Sequence, residues 1–292
     1  MNNMSPPTPP QQTVPGPIRN AFTVDVEDYF QVQAMADQVR PAQWGDFPAR
    51  VDRNTHRILD LLADNQVKGT FFTLGWVAER FPALVRRIAD DGHELASHGY
   101  AHVRVFTQEP EVFREDIRRT KGILEEAGGV PVRGYRAATF SMDHRTPWAH
   151  GILEEEGHGY SSSLYPVKHD LYGAESAPRF PFKPNAGGRL LEIPITTARI
   201  AGRNLPVGGG GYFRLLPYDL FKLALRRVNS ADGQPALFYC HPWEIDPDQP
   251  RIEGLSAKSR FRHYVNLDKM SGKMARLLKD FRWGTMAEIF SP

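Results

Sequence analysis

Residues 93–102 read His93-Glu94-Leu95-Ala96-Ser97-His98-Gly99-Tyr100-Ala101-His102. A strand-like run leaves the turn at Gly92 and delivers two histidines spaced four apart. That spacing predicts one helical turn carrying His98 and His102 on the same face. Neutral imidazole is the commonest side-chain metal ligand, so the pair is a candidate for two ligands of one ion. The competing reading is two unrelated surface histidines, and a short motif needs its context to decide. Two other stretches supply context. Thr23-Val24-Asp25-Val26-Glu27-Asp28 is an apolar strand ending in three acids, and Leu237-Phe238-Tyr239-Cys240-His241-Pro242-Trp243-Glu244 is one ending in a histidine. Strands that each hand chemistry to the residues after them predict a parallel sheet with its site at the C-terminal strand ends.

Working outward, the other strands read as Ile18 to Asp25, Gly69 to Leu74, Val132 to Ala137, Gly159 to Ser163, Leu190 to Ile195 and Pro235 to Cys240. Between them the periodicity predicts helices. Arg53 to Asn65 has an apolar stripe of Ile58, Leu59, Leu61 and Leu62. Another helix restarts at Pro82, which suits a first helical turn. Pro110 to Ala127 is closed by Gly128-Gly129, and a further helix runs from Pro147 to Gly157. Pro217 to about Asn229 and Asn266 to Lys279 complete the set, the basic face of the last reading as solvated surface. Strand and helix alternate throughout, which argues for right-handed crossovers and an α/β fold. About seven such units predict an incomplete or distorted (β/α) barrel.

Some segments stand outside this pattern. Met1 to Pro17 carries too little apolar surface to offset the entropy of ordering and is expected to be a disordered tail. Residues 18–292 are expected to form one barrel domain with a C-terminal extension. Gln31 to Arg50, with Trp44 and Phe47, reads as a loop with short helical pieces, and loops of that length are often functional. Gly208 to Gly211 lacks the Lys-Ser/Thr ending of a phosphate-binding loop and is expected to be a flexible rim.

Bulk properties narrow the function. The 292 residues are 41% hydrophobic and 24% charged, as in an ordinary globular protein. A net charge of +2 gives no reason to expect nucleic-acid binding through phosphates. A single cysteine, Cys240, excludes an internal disulfide framework and a multi-cysteine zinc site. No apolar run is long enough to span a bilayer, and no signal-peptide pattern opens the chain, so a cytoplasmic location without an integral membrane segment is expected.

One carboxylate with His98 and His102 would make a two-histidine, one-carboxylate site. Three protein ligands leave positions open, the pattern of a catalytic metal. Zinc fits, and Co, Ni, Mn or Fe bind similar ligands. Such an ion would activate water and polarise a carbonyl oxygen. A second carboxylate could take the proton from that water, and a histidine could give one to the leaving group. This set suits hydrolysis of an amide or ester. Hydride transfer is disfavoured, because no dinucleotide fingerprint is present.

At these residues the chain resembles the polysaccharide deacetylases, the NodB homology domain of carbohydrate esterase family 4, over roughly Arg19 to Glu244. It is most similar to a branch associated with exopolysaccharide and exosortase loci, whose members begin with an acid-rich segment like Asp25 to Phe30. The resemblance implies that Asp25 is the general base. Val26 follows it where the family usually has a second aspartate, so Glu27 or Asp28 would be the metal carboxylate. His98 and His102 match the family's histidine element, with Gly99 in place of a hydroxyl residue. Arg136-Ala137-Ala138-Thr139 corresponds loosely to an Arg-x-Pro-Tyr element, which implies that Arg136 orients and charge-pairs Asp25. Thr139 stands where an aromatic is usual, and a backbone N–H near it would join the oxyanion hole. Many members have an aspartate near Ser161 to Ser163, where this chain has only serines, so no acid is assigned there. His241 matches the general acid, and Trp243 either lines the sugar pocket or packs in the core. His93, His144, His150, His158, His169 and His263 lack matching context and read as structural or surface.

The implied activity is divalent-metal-dependent removal of N-acetyl groups from amino sugars of an exopolysaccharide or cell-envelope glycan, releasing acetate. The implied partner is an N-acetylated glycan, and the oligomeric state stays open. Two alternatives remain: hydrolysis of a small linear or cyclic amide, as in allantoinase-like relatives, and a catalytically silent glycan-binding domain. The second is disfavoured because the chain keeps a candidate for base, ligand and acid.

Overall fold

The first strand, β1 (Arg19–Val26), is buried along all but its first residue. A strand covered on both faces belongs in the middle of a parallel sheet. Phe22, Val24 and Val26 pack outward, among helical side chains such as Ile58, Leu84, Phe221 and Met274. Ala21 on the opposite face joins Phe72, Ala96, Tyr160, Ile193, Leu237 and Tyr239 inside the barrel. The period of two along β1 therefore puts Thr23 and Asp25 on the interior face.

The computed structural model describes residues 18–170 and 172–290, so the tail expected at Met1 to Pro17 lies outside them. After β1 come two short 3-10 turns, Gln33–Met35 and Pro41–Asp46, and then α1 (Val51–Asp64), β2 (Thr70–Thr73), α2 (Gly75–Arg80), α3 (Pro82–Asp90) and β3 (Glu94–Ser97). Next are α4 (Pro110–Gly128), β4 (Gly134–Tyr135), α5 (Ala149–Glu155), β5 (Tyr160–Ser161) and β6 (Leu191–Glu192). A small hairpin follows, β7 (Thr197–Ile200) and β8 (Arg203–Pro206), then α6 (Gly210–Leu215), α7 (Tyr218–Ala231) and β9 (Leu237–Cys240). The chain closes with α8 (Ala257–Tyr264), α9 (Leu267–Asp280), β10 (Arg282–Gly284) and α10 (Met286–Phe290). Helix ends follow the sequence signals: Pro110 opens α4, and Gly129 closes it at φ 69°.

The sheet runs β10-β1-β2-β3-β4-β5-β6, with β9 also paired to β1, eight strands in all. Every pairing in it is parallel. The seven expected strands are present, and the closing segment adds β10. The barrel is incomplete between β6 and β9. There Leu237 N–H donates to Thr196 Oγ1 at 2.6 Å and Tyr239 N–H to the Gly208 carbonyl at 2.7 Å. β4, β5 and β6 have two paired residues each, shorter than the apolar runs suggested.

Two expectations are corrected, and one element was missed. His98 to His102 is not a helical turn but a loop that twice enters the left-handed region, at Gly99 (φ 73°) and His102 (φ 51°). Its carbonyls at Gly99 and Tyr100 accept from Gly75 and Trp76 at the start of α2, which a continuing helix could not do. The glycine run is not a free rim: Gly210 begins α6, and a Cβ there would lie 2.3 Å from Glu244 Oε1. The hairpin β7–β8 was not legible, because Ala201-Gly202 carries no strong turn signature beyond its one glycine. No helix among the described residues is long and apolar enough to cross a membrane.

Candidate active site

The C-terminal ends of β1, β3, β4 and β9 open on one cavity of about 400 Å³. Asp25, Glu27, His98, His102, Thr139, His241 and Trp243 all line it. These seven of the residues singled out in the sequence therefore meet at one barrel mouth.

Parity along β1 separates the two acids that were left open. Glu27 lies two residues beyond Asp25 and turns to the same interior face. Glu27, His98 and His102 can bring one ligand atom each to within 4.8 Å of one another. His102 Nε2 lies 2.9 Å from Glu27 Oε2. That oxygen is buried and makes no hydrogen bond. Two donor atoms close together without hydrogen-bond geometry suit ligands of a common cation. Donors bound at about 2.1 Å to one tetrahedral ion stand about 3.4 Å apart. His98 Nδ1 lies 2.8 Å from the Arg136 carbonyl, which can only accept, so Nδ1 carries the proton and Nε2 is free for an ion. Burial pushes the His98 imidazole down to about 4, so it is neutral and ready to ligate at pH 7. Burial would raise the Glu27 carboxyl, but His102 beside it, with help from His241 and His98, holds it down to about 2.

Asp28 turns away from this cluster. Its Oδ2 accepts from the N–H groups of Arg50 (2.6 Å) and Val51 (2.9 Å), and its Oδ1 from Tyr29 N–H (2.9 Å). It thus serves the open N-terminus of α1, fully buried, with both oxygens committed. Replacing it by alanine is expected to cost about 2–4 kcal/mol, as buried N–H groups lose their acceptor. Thermal melting should show that loss while metal content stays at the wild-type level. A drop in metal content with unchanged melting would make Asp28 a ligand after all.

Arg136, completely buried, reaches Asp25 Oδ1 at 2.5 Å through Nη1. The same nitrogen donates to Thr23 Oγ1, while Nε and Nη2 donate to the carbonyl and Oγ of Ser162. Its guanidinium lies 3.9 Å above the Phe72 ring on the barrel floor. Ser163 Oγ accepts from Ala137 N–H. The serines that stand where an acid was looked for thus build the seat of Arg136. His241 Nε2 is 3.9 Å from Asp25 Oδ2 and 3.5 Å from Glu27 Oε1. Burial opposes charge on His241, but Glu244, Glu27 and Asp25 outweigh it and raise the imidazole to about 9. Its Nε2 faces the cavity, placed where it could give up a proton.

Thr139 sits in a turn with φ 55°, followed by Phe140 at 48°. Successive left-handed residues are costly for side chains with a Cβ and collect at functional sites. Thr139 Oγ1 is buried without a hydrogen-bond partner. Trp243 is both core and lining: 6% exposed, it stacks on His241 at 5.2 Å and on His263 at 4.1 Å, with one edge on the cavity. His263 and His169 also line the cavity, a place the sequence did not assign them. His150 instead joins Glu192 at 3.1 Å, and His93 accepts from Gly69 N–H.

Two residues beside the site were missed. Glu244 Oε1 accepts from His241 Nδ1 at 2.7 Å, and Glu244 Oε2 accepts from Arg214 Nε at 2.7 Å. The available signal was Glu244 three residues after His241 across a proline, the spacing of a capping box.

Comparison with known proteins covers part of the site, His98, His102, Arg136 and Thr139 in one match and His241 and Trp243 in another. Residues 44–153 match the family model described as polysaccharide deacetylase, and residues 162–291 match a domain of unknown function, DUF3473. A peptidoglycan-N-acetylglucosamine deacetylase of Bacillus cereus is 41% identical over 75 residues, 26% of this chain and 27% of that protein. A chitooligosaccharide deacetylase of Rhizobium leguminosarum bv. trifolii is 37% identical over 73 residues, 25% of this chain and 34% of that one. The chain thus spans about a third or less of the length of these relatives. A solved structure from Mycobacterium smegmatis, assigned to the polysaccharide deacetylases, superposes with a TM-score of 0.62 at 22% identity, covering 98% of this chain and 93% of that one. It shares the curled parallel sheet.

Proposed function

We propose that this chain, which carries a polysaccharide deacetylase domain at residues 44–153, hydrolyses the N-acetyl group of amino sugars in a glycan, using a divalent cation held by Glu27, His98 and His102. The observation that carries this reading is the meeting of those three ligands with Asp25–Arg136 and His241 at one cavity. The cation, for which zinc is our assignment with Co, Ni, Mn or Fe as competitors, would supply Lewis acidity to the acetamide carbonyl and make water a better nucleophile.

The chain's own residues do the rest. Asp25 has one oxygen tied to Arg136 and the other, Oδ2, turned to the cavity, where it takes the proton of the attacking water. Arg136 holds that carboxylate in one orientation through contacts on three sides. As the C–N bond breaks, His241 delivers its Nε2 proton to the departing amine, so the products are acetate and a free amino sugar. Thr139 and Trp243 border the space that the sugar would take. We treat residues 18–292 as one catalytic unit. The base and the metal carboxylate precede the deacetylase match, whereas His241 lies within the DUF3473 match.

The test is acetate release from N-acetylhexosamine oligomers and small linear and cyclic amides, with chelator-stripped protein as control. Acetate from the oligomers that disappears on stripping and returns with added divalent metal is expected. Turnover of small amides alone would move the site to the allantoinase-like reading. Binding of oligomers without acetate release under any metal would make the domain a silent glycan binder.

A further inference from the structure

His241 is held from three directions. Its Nδ1 meets Glu244 Oε1 at 2.7 Å, its backbone N–H donates to the same oxygen at 3.1 Å, and its ring lies nearly parallel to Trp243 at 5.2 Å. A carboxylate can only accept, so Nδ1 carries a proton and Nε2 becomes the nitrogen that faces Asp25 and the cavity. Glu244 is itself fully buried and anchored by Arg214 Nε at 2.7 Å. Arg214, 1% exposed, spends its other nitrogens on the carbonyls of Arg262 (3.1 Å), His263 (2.9 Å) and Val265 (2.7 Å). Those carbonyls lie at and just beyond the end of α8. Gly210 leaves the room for Glu244 that any side chain would take.

A buried ion pair of this kind is weak evidence for stability, since apolar residues of similar volume often do as well. Its geometry has a direct consequence for the site, because it sets which nitrogen of His241 works and where it points. We propose that Glu244, anchored by Arg214, is a positioning residue that fixes the tautomer and orientation of His241 for proton delivery. This rests on the reading of His241 as the proton donor. It also gives the DUF3473 region a part in the chemistry, since His241, Glu244, Arg214 and the α8 carbonyls all lie within residues 162–291.

Glu244→Gln in the full chain, loaded with the same metal as wild type, is the main test. An amide side chain can present its NH2 to Nδ1 and so stabilise the opposite tautomer. The expected result is a fall in kcat of about 10²–10⁴-fold on the N-acetyl substrate, with KM within a few-fold. The loss should be much smaller on an activated acetate ester, whose leaving group needs no proton. Glu244→Asp keeps the charge and should recover part of kcat. Nitrogen-15 NMR of labelled histidine provides a readout independent of turnover: wild type should show a protonated Nδ1 in a strong hydrogen bond on His241, and Glu244→Gln should lose it. A folded Glu244→Gln with wild-type kcat overturns the proposal, as does an equal loss on amide and ester. If Glu244→Gln does not fold, Glu244→Asp decides, since wild-type kcat there overturns it. Wild type inactive on every acetylated substrate, with the NMR signature intact, would instead overturn the proposed function while leaving the geometry of His241 standing.

Discussion

Asp25→Asn is expected to lower acetate release by about 10²–10⁴-fold while the metal stays bound. The substitution keeps size and shape but removes the lone acceptor that Oδ2 turns to the cavity. Its cost is expected to be chemical because the proposed metal ligands are other residues: Glu27, His98 and His102 form their cluster without Asp25. Arg136 loses its carboxylate partner, yet retains Thr23 Oγ1 and both oxygens of Ser162. Some stability is lost with it, because a buried guanidinium without a counter-charge is penalised. Melting must therefore be followed beside turnover, and the rate compared well below the melting point. His241→Ala is the matched control on the acid side. It should lose amide turnover to a similar extent but recover partly on an activated ester, which Asp25→Asn should not. Asp25→Asn that purifies without metal would make Asp25 a ligand and reopen the search for the base.

The double variant His98→Ala, His102→Ala should fall from about one bound divalent ion per chain to background, and acetate release with it. The structural reason is that His98 and Glu27 are ready before any ion arrives. His98 is locked by its Nδ1–H to the Arg136 carbonyl, and burial keeps it neutral at pH 7. Glu27, held down to about 2, is ionised across the working range. No proton must leave these two groups on binding at neutral pH. As far as these two groups set it, affinity should therefore weaken only in acid, as His98 gains its proton toward pH 4 and Glu27 toward pH 2. Elemental analysis of wild type and variant, each dialysed against the same buffer, reads the result directly. Full metal retention in the double variant would remove the site from this cluster.

How much of this was present in the linear chain can be judged residue by residue. Alternation of strands with amphipathic helices is a local property, so the α/β class and seven of the eight parallel strands were legible from apolar period and Gly/Pro punctuation alone. The identity of Asp25, His98, His102 and His241 as site candidates was legible too, since each lies at or just beyond the C-terminal end of a strand and parallel strands end on one face. The parity of β1 already set Glu27 and Asp28 on opposite faces. Phe22, Val24 and Val26 mark the outward face, and Glu27 continues the inward series of Thr23 and Asp25. Tertiary structure was needed to exploit that parity, because a strand's last residues can leave the pleat, and only the acceptor role of Asp28 at α1 shows that this one does not re-enter the site. The loop at His98 to His102 was misread as helix because i, i+4 spacing is silent about φ, which the docking of Gly99 and Tyr100 onto α2 imposed. Arg136 over Ser162, and Arg214 behind Glu244, join residues 26 and 30 positions apart. Such pairs leave no local pattern. They exist only because the barrel curls its strand ends together and the low-dielectric interior demands a partner for every buried charge.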